Sequence, residues 1–375
     1  MMLKNIFYQI FSFLYFASFG QQMPVFVIGE VPENAEECSG IAKLPSGNFA
    51  MVNDSGNEPE IFITDSTGAL ITSIFLDNVC NIDWEEVDYN DGHLYIGDFG
   101  NNKNGRTDLT ILKYAISDKD SLSDLELIKF KYAEQKEFPE SKKNRNYDTE
   151  AMVQLGDSVY VFTKNRTKPF TGYTYLYGMP AKAGDYKLSR LDSFKTGHGD
   201  KSLFWVAGAA LSPSKDKLVL LGYDKMWVFT DFKGADFFGG KHETYAFDKL
   251  TQKESITFIN ENTLLITDEL NEFGGGEMYL AHLKDYGKVK VSVASKNFTD
   301  SISINFDSPN HPKLQYELLD TKGMRATYGF IPEKVESYLI DTKDISAGGY
   351  VLSILIDGKP LQAIKLKKFY TKKNK

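Results

Sequence analysis

Short apolar strands alternate with polar turns along most of this chain, and the alternation itself repeats. Each repeat opens on a polar or acidic motif, runs into an apolar strand, turns at a Gly, Asn or Asp tip, and reaches a second polar motif about 14 residues later. Five copies open at Glu37-Cys38-Ser39-Gly40-Ile41, Asp83-Trp84-Glu85-Glu86-Val87, Asp148-Thr149-Glu150-Ala151-Met152, Val206-Ala207-Gly208-Ala209-Ala210 and Lys253-Glu254-Ser255-Ile256. Their second motifs are Asn53-Asp54-Ser55-Gly56-Asn57, Gly97-Asp98-Phe99-Gly100-Asn101, Thr163-Lys164-Asn165-Arg166, Gly222-Tyr223-Asp224-Lys225 and Thr267-Asp268-Glu269. A third strand follows each, as in Ile61-Phe62-Ile63 and Met226-Trp227-Val228-Phe229. Every copy therefore reads as an antiparallel meander of three or four strands. Such a sheet cannot bury both faces alone, and stacking copies radially solves the problem, which predicts a β-propeller.

Successive openings lie from about 46 to about 65 residues apart, so the second and third copies carry insertions. The charged stretch Glu134 to Asn146 reads as one of them, a surface loop. Five blades are readable, and six are expected if a long copy hides another. Val25-Phe26-Val27-Ile28 precedes the first copy and is expected to pair as an outer strand with the last blade, closing the ring.

The repeat pattern stops near Val293. Beyond it, strands around Ile302–Phe306, Leu314–Leu319, Tyr350–Ile356 and Gln362–Leu366, with turns at Asp320-Thr321-Lys322-Gly323 and Asp357-Gly358-Lys359, predict a compact β-sandwich. The expected organisation is thus all-β: a propeller over 21–295 and a small Ig-like β-sandwich over 296–375. Tyr316-Glu317-Leu318-Leu319-Asp320-Thr321-Lys322-Gly323, Gly348-Gly349-Tyr350-Val351-Leu352 and the closing Ile364-Lys365-Leu366-Lys367-Lys368 resemble the C-terminal sorting domain of type IX secretion cargo. That resemblance covers about the last 75 residues and implies the type IX secretion machinery as a partner. It departs from the family in lacking a Tyr-Pro-Asn-Pro-like opening and in carrying the tail Tyr370 to Lys375.

Residues 1–20 read as a signal peptide, with Lys4 ahead of the apolar run Ile6 to Ala17 and small residues before Gln21. The run is shorter than the roughly 20 residues a membrane-spanning helix needs, and no later stretch supplies one. The mature chain is expected to be a monomer, secreted or held at the cell surface. Of 375 residues, 27 are Phe and 21 Tyr, a bias that favours strands. A formal charge of -8 leaves no basic surplus to replace phosphate counterions, which excludes a general nucleic-acid binder. Cys38 and Cys80 fall in neighbouring copies, where one disulfide or two free thiols are equally open.

The openings of the inner strands converge on one mouth of a propeller, so Glu37, Asp83, Glu85, Asp148, Glu150 and Glu254 are expected to meet there. Crowded carboxylates repel unless a cation joins them, and Ca2+ accepts six to eight oxygens in loose geometry. Asn53, Asp54, Asn81, Asp98, Asn101 and Asp268 stand ready to add oxygens. The competing reading is that these acids cap strands and pair with Lys or Arg. Asn53-Asp54-Ser55-Gly56-Asn57, Asn81-Ile82-Asp83-Trp84-Glu85-Glu86 and Tyr95-Ile96-Gly97-Asp98-Phe99-Gly100-Asn101-Asn102 also resemble secreted bacterial propellers of the esterase-like and gluconolactonase-like groups. That resemblance implies a channel calcium with Glu85 and Glu150 as ligands, and Asp98 and Asp268 as ligand or catalytic base. No G-x-S-x-G elbow, phosphate loop or dinucleotide fingerprint is present. Lys142-Lys143-Asn144-Arg145 and Lys164-Asn165-Arg166-Thr167-Lys168 read as solvated loop charge, although beside a cation they would suit a phosphoester. Phe170, Tyr173, Phe204 and Trp205 offer a shelf for a glycan or other small ligand. The expected functions are a calcium-dependent ester or lactone hydrolase, a non-enzymatic binding propeller, and a calcium-dependent phosphoesterase.

Overall fold

The computed structural model describes residues 21–272, 274–283, 289–307, 311, 313–356 and 359–370. Residues 1–20, where a signal peptide was expected, the Asp357-Gly358 part of the last turn and the tail after Tyr370 lie outside the described residues. The chain divides into two compact units, Met1–Leu283 and Lys284–Lys375. Among the described residues the secondary structure is strand with three short 3-10 turns.

The first unit contains five sheets, each built on an antiparallel meander. Their opening strands are Cys38–Lys43, Trp84–Asn90, Asp148–Leu155, Gly208–Leu211 and Lys253–Asn260, and each pairs with the next strand in sequence. The opening strands neighbour one another in cyclic order, from the first sheet to the fifth and from the fifth back to the first. Each adjacent pair of sheets also shares a separate apolar core. Trp84 and Ile61 lie in the core between the first and second sheets, Tyr132 and Val161 between the second and third, and Phe162 and Trp227 between the third and fourth. Tyr245 and Ile266 lie between the fourth and fifth, and Met51 and Met278 join the fifth to the first. Inner strands sandwiched in this way bury both faces, as Thr263–Asp268 does at every residue. The outer strand Leu70–Phe75 is exposed at five of its six positions.

The fifth sheet takes its outer strand, Val25–Glu30, from the N-terminal side of the chain, paired antiparallel with Glu277–His282 as expected. Two short strands add in parallel at outer edges: Gln21–Met23 beside Lys241–Phe247, and Gly184–Leu188 beside Leu122–Tyr132 of the preceding sheet. Part of the extra length of the second and third copies goes into that 11-residue strand and its crossing partner. Residues 134–146 form no strand and are mostly exposed, the surface loop expected, and two buried residues anchor it. Gln135 and Glu140 are buried, Gln135 Nε2 donates to Asn104 O at 2.9 Å, and Glu140 Oε1 accepts from Lys136 N at 3.0 Å.

The second unit places three strands (Val291–Val293, Ser301–Phe306, Ser337–Asp341) in one sheet and five in another, over one shared core. In Ser301–Phe306 the buried positions are Ile302, Ile304 and Phe306, the period of two that a half-buried strand requires. Val291–Val293 pairs with that strand, so the unit begins before the expected boundary at 295/296. Both cysteines are free thiols: Cys38 is buried with Ser255 Oγ at 3.6 Å, and Cys80 is exposed.

Candidate functional site

Antiparallel pairing brings four opening motifs opposite the second motif of their own sheet, with Cys38 facing Asn53, Trp84 facing Asp98, Asp148 facing Lys164 and Lys253 facing Asp268, while in the fourth sheet Gly208 faces Leu221, next to its second motif. Because the opening strands are cyclic neighbours, these motifs collect at one end of the five sheets. Four of the five pairs carry a bulge at that end, and the residue each skips is Ser39, Glu85, Glu150 or Glu254. A bulge inserts one unpaired residue and redirects its side chain. Three of the expected ligands therefore occupy the same bulge position of three different sheets.

Only one of those three, Glu85, joins a carboxylate cluster that forms no ion pair among the described residues. Carboxylate oxygens of Asp54, Asp83 and Glu85 all lie within 4.8 Å of one another. At that separation each pair of ionised groups repels by about 3 kcal/mol at an effective dielectric of 20. Backbone geometry imposes the crowding. Asn81 Nδ2 donates to the carbonyls of Asn53 (2.9 Å) and Asp54 (2.8 Å) while its Oδ1 accepts from Trp84 N at 3.0 Å, stitching the first sheet's second motif to the second sheet's opening. Gly100 N donates to Asp83 O at 3.0 Å. A Cβ on Gly100 would sit 2.2 Å from Glu85 Oε1 and 2.5 Å from Asp83 Oδ2, so glycine leaves the carboxylates their space. Burial, then the charges of Glu150 and Asp54, holds the Glu85 carboxyl well above the usual range. Asp83 is pushed up to about 6 by burial and by Asp54 and Asp148, and burial raises Asp54 as well.

The neighbouring acids are neutralised within the protein. Arg166 Nε lies 2.5 Å from Asp148 Oδ2 and its other nitrogen 3.1 Å from Glu150 Oε1, while Lys164 Nζ lies 2.7 Å from Glu150 Oε2. Burial would lower Lys164, but Glu150 and Glu254 overcome it and hold the ammonium well above its ordinary value. Lys164 is thus a buried and Arg166 a half-buried counter-ion, where the sequence reading had solvated loop charge; Lys142 and Lys143 are exposed as expected. Asp148 still rises to about 7, because burial and Glu150 outweigh Arg166. Glu254 Oε1 accepts from Tyr223 Oη at 2.9 Å and Gln252 Nε2 at 3.1 Å. Glu37 Oε2 accepts from Asn57 Nδ2 at 2.5 Å at the rim.

Asp98 and Asp268, the expected catalytic carboxylates, hold structure together. Asp98 pairs with Arg106 at 2.8 Å and accepts from Asp83 N at 3.2 Å, and Asp268 accepts from Glu277 N (2.7 Å) and Tyr279 Oη (2.5 Å). The residue that sequence reasoning passed over is Glu269. Burial and the charges of Glu254, Asp54 and Glu37 push it up to about 7, and Gln252 Nε2 hydrogen-bonds it. Its place in the second motif beside Asp268 was the available signal. Trp205 is mostly buried, donates from Nε1 to Asn165 O at 2.6 Å and lies 4.6 Å below the Arg166 guanidinium, so it supports the ion pairs more than it offers a shelf.

Hard oxygen donors that form no ion pair among the described residues, partly buried and held by backbone contacts, fit a calcium ion. Asp54, Asp83 and Glu85 would hold it.

No protein family and no curated protein matches the chain. Solved structures similar to parts of it include the PQQ-bound aldose sugar dehydrogenase of Streptomyces coelicolor, at 12% identity over 69% of this chain and 98% of that one, with a TM-score of 0.41. A luciferin-regenerating enzyme gives 11% identity over 69% of this chain and 95% of its own, TM-score 0.39. PorZ, a surface component of the type IX secretion system of Porphyromonas gingivalis, gives 10% identity over 88% of this chain and 51% of its own, TM-score 0.32.

Proposed function

We propose that the chain is an exported protein whose first unit is a five-bladed β-propeller with a calcium-dependent ester or lactone hydrolase site, and whose Ig-like second unit directs type IX secretion. The cyclic order of five opening strands with five inter-sheet cores supports the propeller. The single observation that carries the site is the convergence of Asp54, Asp83 and Glu85 within 4.8 Å with no ion pair among the described residues, beside acids that do have one.

A bound calcium would polarise an ester carbonyl. Glu269, poised near neutrality, is the group suited to take a proton from water at the mouth. Arg166 and Lys164 hold Asp148 and Glu150 in ion pairs, which confines the carboxylates without an ion pair among the described residues to one side of the mouth. With both cations committed to carboxylates, the site has less to offer a phosphoester than an uncharged ester.

Calcium titration of the full chain by calorimetry, with melting curves in calcium and in chelator, tests the reading. Wild type should bind one ion and melt higher with it. Asp83→Asn and Glu85→Gln should each lose most of that binding, and Glu150→Gln should keep it. A panel of lactones and aryl esters then reads turnover. Calcium binding without turnover would leave a non-enzymatic binding propeller, and no calcium binding would overturn the site. Removal of residues 284–375 should retain the protein inside a cell equipped with type IX machinery; undiminished release would refute the sorting role.

A further inference from the structure

Each sheet of the first unit ends in an outer edge, and four of the five edges are blunted. Gly184–Leu188 and Gln21–Met23 cover the second and fourth as added parallel strands. The third, Asp192–Lys195, is four residues long with a charge at each end. The fifth, Val25–Glu30, is interrupted by a bulge and closes on Glu30. Such devices keep one sheet edge from pairing with another. The first edge has neither cover nor charge. Its strand Leu70–Phe75 pairs only with Glu60–Thr64 among the described residues, and residues 70–76 read Leu-Ile-Thr-Ser-Ile-Phe-Leu. The inner pairing skips Ile71, its one irregularity. Ile71 and Phe75 are 54% and 55% exposed.

The sequence of this edge says what would cover it. It is close to a palindrome about Ser73, with Leu70 matching Leu76, Ile71 matching Phe75 and Thr72 matching Ile74. A twofold axis through an antiparallel pair of strands sets one residue opposite its own counterpart, and here it would set these matched residues opposite one another. Backbone polarity allows that register. Leu76 N donates inward to Pro59 O at 2.8 Å, and alternation then turns the N–H and C=O of Ser73 and Phe75 toward the open side. Ser73 can thus exchange both hydrogen bonds with Ser73 of another copy, while apolar and β-branched side chains meet on either side of it. Thr72, Ile74 and Leu76 also border a cavity of about 420 Å3 against Tyr114 and Leu122, with room for side chains of an incoming strand. We propose that this edge is a homodimer interface, in which two copies pair antiparallel through residues 70–76 about a twofold axis at Ser73. Two four-stranded sheets become one of eight strands. The monomer expected from the sequence is then the dilute form. The interface needs neither calcium nor turnover and stands apart from the proposed hydrolase function. Interfaces of about 1,600 Å2 range from micromolar to picomolar, and a seven-residue edge is smaller, so a Kd of about 1 μM or weaker is expected.

Sedimentation velocity of the full chain in physiological salt, from about 5 to about 500 μM, tests the proposal. The wild type should shift from the mass of one chain toward that of two. Ser73→Lys and Ser73→Glu change an exposed position, and melting curves check that each variant keeps its fold. Either variant alone sets like charges face to face across the axis and should weaken the dimer at least about tenfold, while an equimolar mixture should restore it as a heterodimer. Asp83→Asn should dimerise like the wild type, which keeps failure of this interface distinct from failure of the calcium site. A wild type that stays monomeric throughout would overturn the proposal and leave the edge to a strand of another polypeptide. Self-association undiminished in both Ser73 variants would place the interface elsewhere, and weakening that mixing does not repair would overturn the twofold register.

Discussion

Glu85 and Glu150 occupy the same bulge position in neighbouring sheets, yet Lys164 Nζ stands 2.7 Å from Glu150 while Glu85 clusters with Asp54 and Asp83 and forms no ion pair among the described residues. Equivalent places in a repeat have thus diverged into an ion pair on one side and unneutralised charge on the other. The electrostatic demand at the mouth is local to the first two sheets.

Gly100 offers a direct handle on that demand. Because its missing Cβ would fall 2.2 Å from Glu85 Oε1, Gly100→Ala must push apart the carboxylates without removing either. Calcium affinity should fall at least about tenfold, while the melting temperature in chelator changes little or rises as the repelling groups separate. Unchanged affinity would show that Glu85 and Asp83 do not share an ion.

Arg166 should behave in the opposite way. Its removal in Arg166→Met takes the counter-ion from Asp148, 0% exposed and already pushed up to about 7, so the carboxyl must take up a proton or stay buried and unpaired, and breaking a buried pair costs about 3–5 kcal/mol. Denaturant unfolding should register that loss, and Asp148→Asn in the same chain should restore part of it. A loss below about 1 kcal/mol would mean that solvent already screens the pair.

The two thiols should differ sharply. Cys80 is exposed, whereas Cys38 lies buried against Ser255 and Thr267, and burial raises its thiol above the ordinary value. A maleimide followed by mass measurement should add one group to the native protein and two after unfolding. One modification shared between both sites, or none, would contradict the arrangement.

Much of this architecture was visible in the chain because burial writes itself into strand periodicity. Ile41, Val87, Met152 and Ile256 mark the opening strands at one repeat phase, and Val25–Ile28 announced the strand that completes the fifth sheet. The second unit yielded less: Arg325–Ile331 and Ser337–Asp341 are edge-lying and largely exposed, so their apolar alternation is weak. Within the site, residue types and phase pointed to Asp83 and Glu85. They could not distinguish Glu85 from Glu150, since that difference depends on Lys164, 14 residues along the chain, folding back through a hairpin to lie beside its own sheet's opening. Bulges leave no mark of their own in composition, so the device that aims these glutamates emerged only from the strand register.

Lys253 supplies a pH dependence independent of any metal. Its ammonium is buried, donating to Lys249 O (3.1 Å) and Thr251 Oγ1 (2.6 Å) between the rings of Phe247 and Tyr279, and burial, only partly opposed by Asp268, lowers it to about 8. The unfolded chain holds this proton up to about 10.5. Below pH 8 both states are protonated and the destabilisation is present in full. Above pH 8 the folded state releases the proton first, the unfolded state binds more, and stability rises with pH. Between pH 8 and about 9.5, before tyrosines titrate, the slope is worth about 2 kcal/mol at most. The difference in denaturant midpoint between wild type and Lys253→Met should grow over that window, while the Cys38 thiol, which ionises first in the unfolded chain, pulls both curves down alike. A difference that stays constant with pH would place the Lys253 ammonium in a better-solvated setting than its burial implies.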